Sequence, residues 1–147
     1  MRPRYENEES KKNELAIVKE VCMAWGFIPF KLPHFYQLDF ALTDNKRVVR
    51  AFVEAKRRFF SFGRHPDVIL SVDKVLAGFE LSEALVVPFY FAVQFDDCLK
   101  VALVTRRHLQ SVTIGGRKDR NDADDVELVI HIPNYCFENP WDVKVVK

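Results

Sequence analysis

Asp39, Glu54 and Lys56 stand in two short apolar runs, Tyr36–Leu42 and Val48–Lys56, separated by the polar connector Thr43-Asp-Asn-Lys-Arg. The runs read as the strands of an antiparallel hairpin. Strand period puts Glu54 and Lys56 on one face, and Val49, Ala51, Val53 and Ala55 on the other. With a turn centred on Asn45-Lys46, Asp39 falls opposite Phe52 and diagonal to Glu54 on that same face. Charges on otherwise apolar strands oppose folding unless they are paired or coordinated. Two carboxylates suit a hard cation such as Mg²⁺ or Mn²⁺, which takes oxygen ligands and keeps several waters. Such an ion polarises a phosphodiester and lowers the pKa of a bound water. An adjacent ammonium orients that water or stabilises charge developing on phosphorus.

An acidic residue two before a lysine is a weak signal by itself. The chain holds four: Glu9/Lys11, Asp44/Lys46, Glu54/Lys56 and Asp142/Lys144. Only Glu54/Lys56 lies within an apolar strand and follows a second acidic residue on a partner strand, so context selects it.

The elements around this hairpin follow from hydrophobic spacing. Between Glu8 and Trp25 the residues Leu15, Ile17, Val18, Val21, Cys22 and Trp25 recur every three or four positions, the period of an amphipathic helix, with Gly26 as its stop. Phe27 to Leu32 reads as a strand that Pro29 places at an edge or beside a bulge. Residues 57–67, RRFFSFGRHPD, break periodicity and read as a loop. Helical spacing returns over Leu70–Leu85 through Val72, Val75, Leu76, Phe79 and Leu85. Pro88–Phe95 is an almost wholly apolar strand covered on both faces. Leu99–Val104 and Glu127–Ile132 read as strands flanking the polar stretch 105–125.

Composition sets the bounds. At 147 residues, 48% hydrophobic and 29% charged, the chain has the size and apolar content of one folded domain and not of a disordered tail. Cys22, Cys98 and Cys136 are too few for a disulfide framework and include no zinc-type Cys-x-x-Cys pair. The first dozen residues, MRPRYENEESKK, lack the apolar stretch of a secretory signal. The longest apolar run, Ala84–Val93, is broken by Pro88 and falls short of the ~20 residues of a membrane span. A soluble cytoplasmic protein, with no membrane partner, is the expectation. The net charge of +1 at first argues against a nucleic-acid partner. Distribution reverses that argument, because basic residues gather at 46–64 and 106–120 while acidic ones concentrate at 119–127.

The hairpin motif and the element order resemble the PD-(D/E)XK nuclease superfamily, the restriction-endonuclease-like fold. Later segments give a narrower resemblance to its small Holliday-junction-resolvase-like and phage-encoded nucleases. The resemblance covers roughly residues 5–105. It implies an α/β core, a central mixed β-sheet flanked by helices, in a single domain over 1–147. Asp39 matches the metal-binding Asp, Glu54 the second acidic ligand and Lys56 the catalytic Lys. A further metal-completing Glu on the first helix is best matched by Glu14, with Glu9 second. Leu38 stands where the motif has Pro, a residue that supplies no chemistry. The expected activity is divalent-metal-dependent hydrolysis of DNA, selective for junctions or branches, in host cytoplasm if phage-encoded. Resolvases of this kind act as dimers, so a homodimer is implied too.

Arg57, Arg58 and Arg64 follow the motif where DNA would pass. Phe59, Phe60 and Phe62 among them either stack on bases or wedge a junction, or else fill the core. Lys74 is either a phosphate-facing or auxiliary catalytic group, or a solvated helix lysine beside Asp73. His34, His65, His108 and His131 have no ligand-like spacing. Gly115 to Asp125 is neither a phosphate loop nor an EF-hand. It reads as a solvated loop whose Arg117, Lys118 and Arg120 could reach phosphate. The rival reading is a non-cleaving nucleic-acid-binding or phage structural module on the same fold, with salt-sensitive binding that needs no metal.

Overall fold

The structure, a computed structural model, describes residues 8–116 and 126–145, so Arg117, Lys118 and Arg120 lie outside the described residues. Helix α1 spans Glu8–Trp25 and ends where Gly26 turns left-handed at φ 75°. This is the conformation glycine adopts without steric cost. Strands β1 (Ile28–Lys31), β2 (Phe40–Thr43), β3 (Val49–Arg57), β5 (Phe89–Gln94), β6 (Leu99–Leu103) and β9 (Phe137–Glu138) form one sheet in the order β1-β2-β3-β5-β6-β9. A smaller sheet has the order β4-β8-β7, from Asp67–Ser71, Val126–Pro133 and Thr113–Gly116. Helix α2 spans Val72–Leu85. Pairing of β3 with β5 is parallel, and the other pairings among the described residues are antiparallel. The larger sheet is therefore mixed, with helices against it, as the resemblance implied.

Two apolar layers sandwich that sheet. On one face Ile17, Val18, Val21, Cys22 and Trp25 of α1 pack on Ala51, Val53, Ala55, Tyr90 and Ala92. On the other, Phe52, Phe89, Phe91 and Val93 meet Val75 and Phe79 of α2, together with Val68, Leu70, Ile130 and Ile132 of the smaller sheet. The alternation of β3 thus feeds two separate cores, with Phe52 and Glu54 directed toward α2. No helix among the described residues is long and apolar enough to cross a membrane.

Three expectations are corrected. Residues 67–71 are a strand, not the end of a loop and the start of a helix, because they pair with β8, a partner distant in the chain, from Asp67↔Pro133 to Ser71↔Val129. The run Tyr36–Leu42 is not one strand. A short 3₁₀ turn occupies His34–Tyr36, Gln37 turns left-handed at φ 58°, and β2 begins only at Phe40. The hairpin register differs too, since Phe40 pairs with Val53 and a bulge follows at Leu42/Thr43. Asp39, just before β2, therefore comes level with Glu54 instead of Phe52.

Gly78 is buried within α2, and a Cβ there would lie 2.3 Å from the Phe89 ring. Phe89 is itself buried and set edge-on to Phe79, so it has no room to yield. Gly78→Ala is expected to lose stability, by about 1–2 kcal/mol, because overpacking outweighs the helix propensity gained. A lower urea midpoint with an unchanged denaturant slope is the expected reading. A raised midpoint would show that α2 can retreat from β5.

Candidate active site

Glu54 sits mid-strand in β3, flanked by the parallel β5, and its side chain is 0% exposed. Asp39 is also buried, at 6%, held at the entrance to β2 where its carbonyl accepts a hydrogen bond from the Leu32 amide at 2.8 Å. Both oxygens of Glu54 and Oδ2 of Asp39 are buried without a hydrogen-bond partner. Native interiors seldom leave carboxylate oxygens so.

Lysines surround the pair. Lys74 of α2 places Nζ 3.7 Å from Asp39 Oδ1 and 3.8 Å from Glu54 Oε1. Lys31, at the end of β1, approaches Asp39 Oδ1 at 3.2 Å. Lys56 lies 4.0 Å from Glu54 and 3.8 Å from Glu14 Oε1, with a third of its side chain exposed. Glu14 is buried on α1, in helical phase with Val18, Val21 and Trp25. Glu9 is exposed. Lys56 thus stands between Glu14 and Glu54 at the margin of the site.

These contacts separate the two carboxyl groups electrostatically. Burial pushes Glu54 well above the ordinary glutamate range, and the charge of Asp39 adds to it; Lys74 and Lys56 only partly compensate. For Asp39, burial acts upward, but the ammonium groups of Lys74 and Lys31 pull against it, and the group is held below its usual value. Opposite shifts in adjacent carboxyls are characteristic of functional sites.

Among the described residues, no three His, Cys, Asp or Glu side chains are grouped to hold a metal ion. A two-carboxylate site remains. Buried oxygens without hydrogen bonds, from two acidic side chains, are hard donors that fit Mg²⁺ or Mn²⁺, ions that take one or two carboxylates and fill their remaining positions with water or phosphate oxygens.

The basic run beyond β3 divides. Arg57 is tied to Asp96 at 2.8 Å and lies over the Phe59 ring. Arg58, half-buried, donates to the Ile69 carbonyl; burial lowers its pKa against the pull of Glu54. Arg64 is exposed. Phe60 and Phe62 pack against Phe95, and Phe62 also against Phe137, whereas Phe59 is exposed. His131 lies between Asp67 and Thr113, and His108 accepts from the Thr105 amide. Leu38, in the motif's Pro position, is buried in the core beside Ala41 and Phe52.

Lys31 and the inward direction of Lys74 are not evident from the sequence. Lys74 lies one turn before Gly78, the residue that lets α2 approach the sheet, and that spacing is the available clue. Lys31 offers none until the register pairs it with Phe40.

A family model described as "Phage putative PDDEXK endonuclease" matches residues 1–139. Among solved structures the chain is similar to Hjc, a Holliday junction resolvase from the archaeal hyperthermophile Archaeoglobus fulgidus. The match has 15% identity, covers 88% of this chain and 87% of that one, and has a TM-score of 0.56. At that identity the likeness speaks to the fold. No curated protein matches the chain.

Proposed function

The chain belongs to the phage PDDEXK endonuclease family, and from that premise we propose that it hydrolyses DNA phosphodiester bonds using a divalent cation held by Asp39 and Glu54. The observation that carries this reading is the buried carboxylate pair, three of its oxygens without a hydrogen bond, ringed by lysines. The bound cation would supply Lewis-acid polarisation of the phosphoryl group and acidify a water.

The protein's own groups divide the remaining work. Lys56 is anchored between Glu14 and Glu54 yet partly exposed, a position from which its ammonium would orient the attacking water and stabilise charge on a non-bridging oxygen. Glu14 would act through Lys56, fixing its direction, or join the cation through water. Lys74 and Lys31 keep Asp39 ionised in the absence of metal. Arg57, Arg58, Arg64 and Lys74 would offer the basic groups along which the DNA backbone runs. The reading includes a single domain, a preference for branched DNA, action in host cytoplasm, and a homodimer presenting two sites.

The test incubates plasmid, branched and single-stranded DNA, and RNA, with and without Mg²⁺ and with EDTA. Cleavage is expected only with metal. Lys56→Met is expected to retain metal binding by calorimetry but lose cleavage by on the order of 10²-fold or more. Metal-independent, salt-sensitive DNA binding without cleavage would favour the structural module instead. Undiminished cleavage by Lys56→Met would remove Lys56 from the mechanism.

A further inference from the structure

Two loops leave the sheet at the end where the carboxylates lie. One joins β1 to β2, from Lys31 to Phe40; the other follows β3 after Arg57. Each carries an aromatic ring directed into solvent. Phe35 and Phe59 are both 76% exposed, and Tyr36 is partly so at 39%. Loose packing does not account for this exposure. In the second loop Phe60 and Phe62 are drawn into the core while Phe59, beside them, is not.

The exposed rings are held in place. Phe35 lies against Tyr36, centroids 4.5 Å apart and planes at 30°, on the 3₁₀ turn. The loop carrying them is closed by the Leu32–Asp39 hydrogen bond and ends on the acidic residue of the site. Phe59 lies 4.4 Å from the Arg57 guanidinium, itself anchored on Asp96. Lys31 and Arg64 supply exposed positive charge at the same end.

We propose that Phe35 and Phe59 are base-stacking platforms which receive unpaired nucleotides flanking the scissile phosphate, so that the preferred substrate is DNA with splayed or single-stranded arms. The proposal rests on the nuclease reading, narrows its preference for branched DNA to unpaired arms, and assigns that preference to two named rings. Flat π-faces accept any base, whereas paired bases inside a duplex offer none. Rings fixed on the loops at the carboxylate end of the sheet would select for strand opening near the cut without selecting for sequence.

The test measures binding at one salt concentration in EDTA, where no cleavage intervenes. Two substrates of equal length are used, a fork with unpaired arms and a blunt duplex, with 2-aminopurine at the fork. Wild type is expected to bind the fork more tightly and to quench the 2-aminopurine. Phe35→Ala and Phe59→Ala are each expected to weaken fork binding about ten-fold, to leave duplex binding unchanged and to relieve quenching. Phe35→Trp, which keeps a stacking face, should behave as wild type. Equal losses on both substrates, or none, would overturn the proposal. So would a change confined to the sedimentation mass, which would make these rings a contact between copies of the chain. Metal-dependent cleavage of the blunt duplex is followed with the same proteins. If it persists while fork discrimination does not depend on the rings, the stacking proposal fails alone. If wild type neither binds nor cuts DNA, the nuclease reading fails with it.

Discussion

Glu54→Gln is expected to abolish cleavage while making the metal-free protein more stable. Glu54 is fully enclosed, both its oxygens lack hydrogen bonds, and its pKa is driven upward chiefly by burial. Above the ordinary glutamate range the unfolded chain holds this carboxyl ionised, so enclosing it, whether by stripping its hydration or by taking up a proton, opposes folding. An amide removes that charge and brings donors that can meet the Asp39 carboxylate. The gain should be about 1–3 kcal/mol without metal. The loss of activity should be on the order of 10³-fold, because half of the proposed metal-binding pair has gone. Calorimetry with Mn²⁺ separates the two effects. Wild type should rise in melting temperature as Mn²⁺ is added and the Gln variant should not.

The pH dependence follows with a definite sign. A carboxyl whose pKa is raised on folding contributes stability fully below its unfolded value and loses it as pH rises through its folded value. In EDTA, wild-type stability attributable to Glu54 should thus fall as pH climbs from the ordinary glutamate range. Asp39, lowered on folding, works in the opposite sense, stabilising above its usual range and ceasing to do so as pH drops through its depressed value. The Gln variant should lose the first dependence and keep the second. Melting curves of both proteins across that range decide the matter; parallel profiles would mean that Glu54 is not the strained group.

Trp25→Ala is expected to cost the most stability of any change considered, about 3–5 kcal/mol. The indole is almost wholly buried at the end of α1, lies 4.7 Å from the Tyr90 ring, and donates from Nε1 to the Pro140 carbonyl at 2.8 Å. One side chain thereby joins α1, β5 and the C-terminal segment. Trp25→Phe would keep much of the apolar burial but strand the Pro140 carbonyl, for a smaller loss of about 1–3 kcal/mol. Urea denaturation should rank the three proteins wild type, Phe, Ala. A Phe variant as weak as Ala would mean that the hydrogen bond, not packing, dominates.

How far these features were legible in the sequence depends on the range of the forces behind them. Helix α1 was readable to its ends because period and the Gly26 stop are local. Glu54 and Lys56 were readable because a charged pair on an apolar strand conflicts with its surroundings. Strand β4 was not readable, for Val68 and Leu70 take strand form through β8, a partner far along the chain. The level of Asp39 against Glu54 was missed because the Leu42/Thr43 bulge shifts the register, and no residue type there announces it. Lys74 faced two readings until α2 was docked on β3, since a helix shows its periodicity but not what its polar residues meet.

The parallel union of β3 with β5 has a consequence for the order of events in folding. Parallel neighbours cannot be joined by a tight turn, and the chain from 58 to 88 must travel across the sheet first, carrying α2 with it. In an isolated β2–β3 hairpin Glu54 would be hydrated, since it is α2 that brings Lys74 over it. Dehydration occurs when the crossover closes over that face. The free-energy cost of preparing the carboxylate is therefore charged to a long-range closure step, which has to outrun it with the contacts of Phe79, Phe89 and Phe91. The crossover that makes the parallel pairing possible is thus also the segment that encloses the acidic pair.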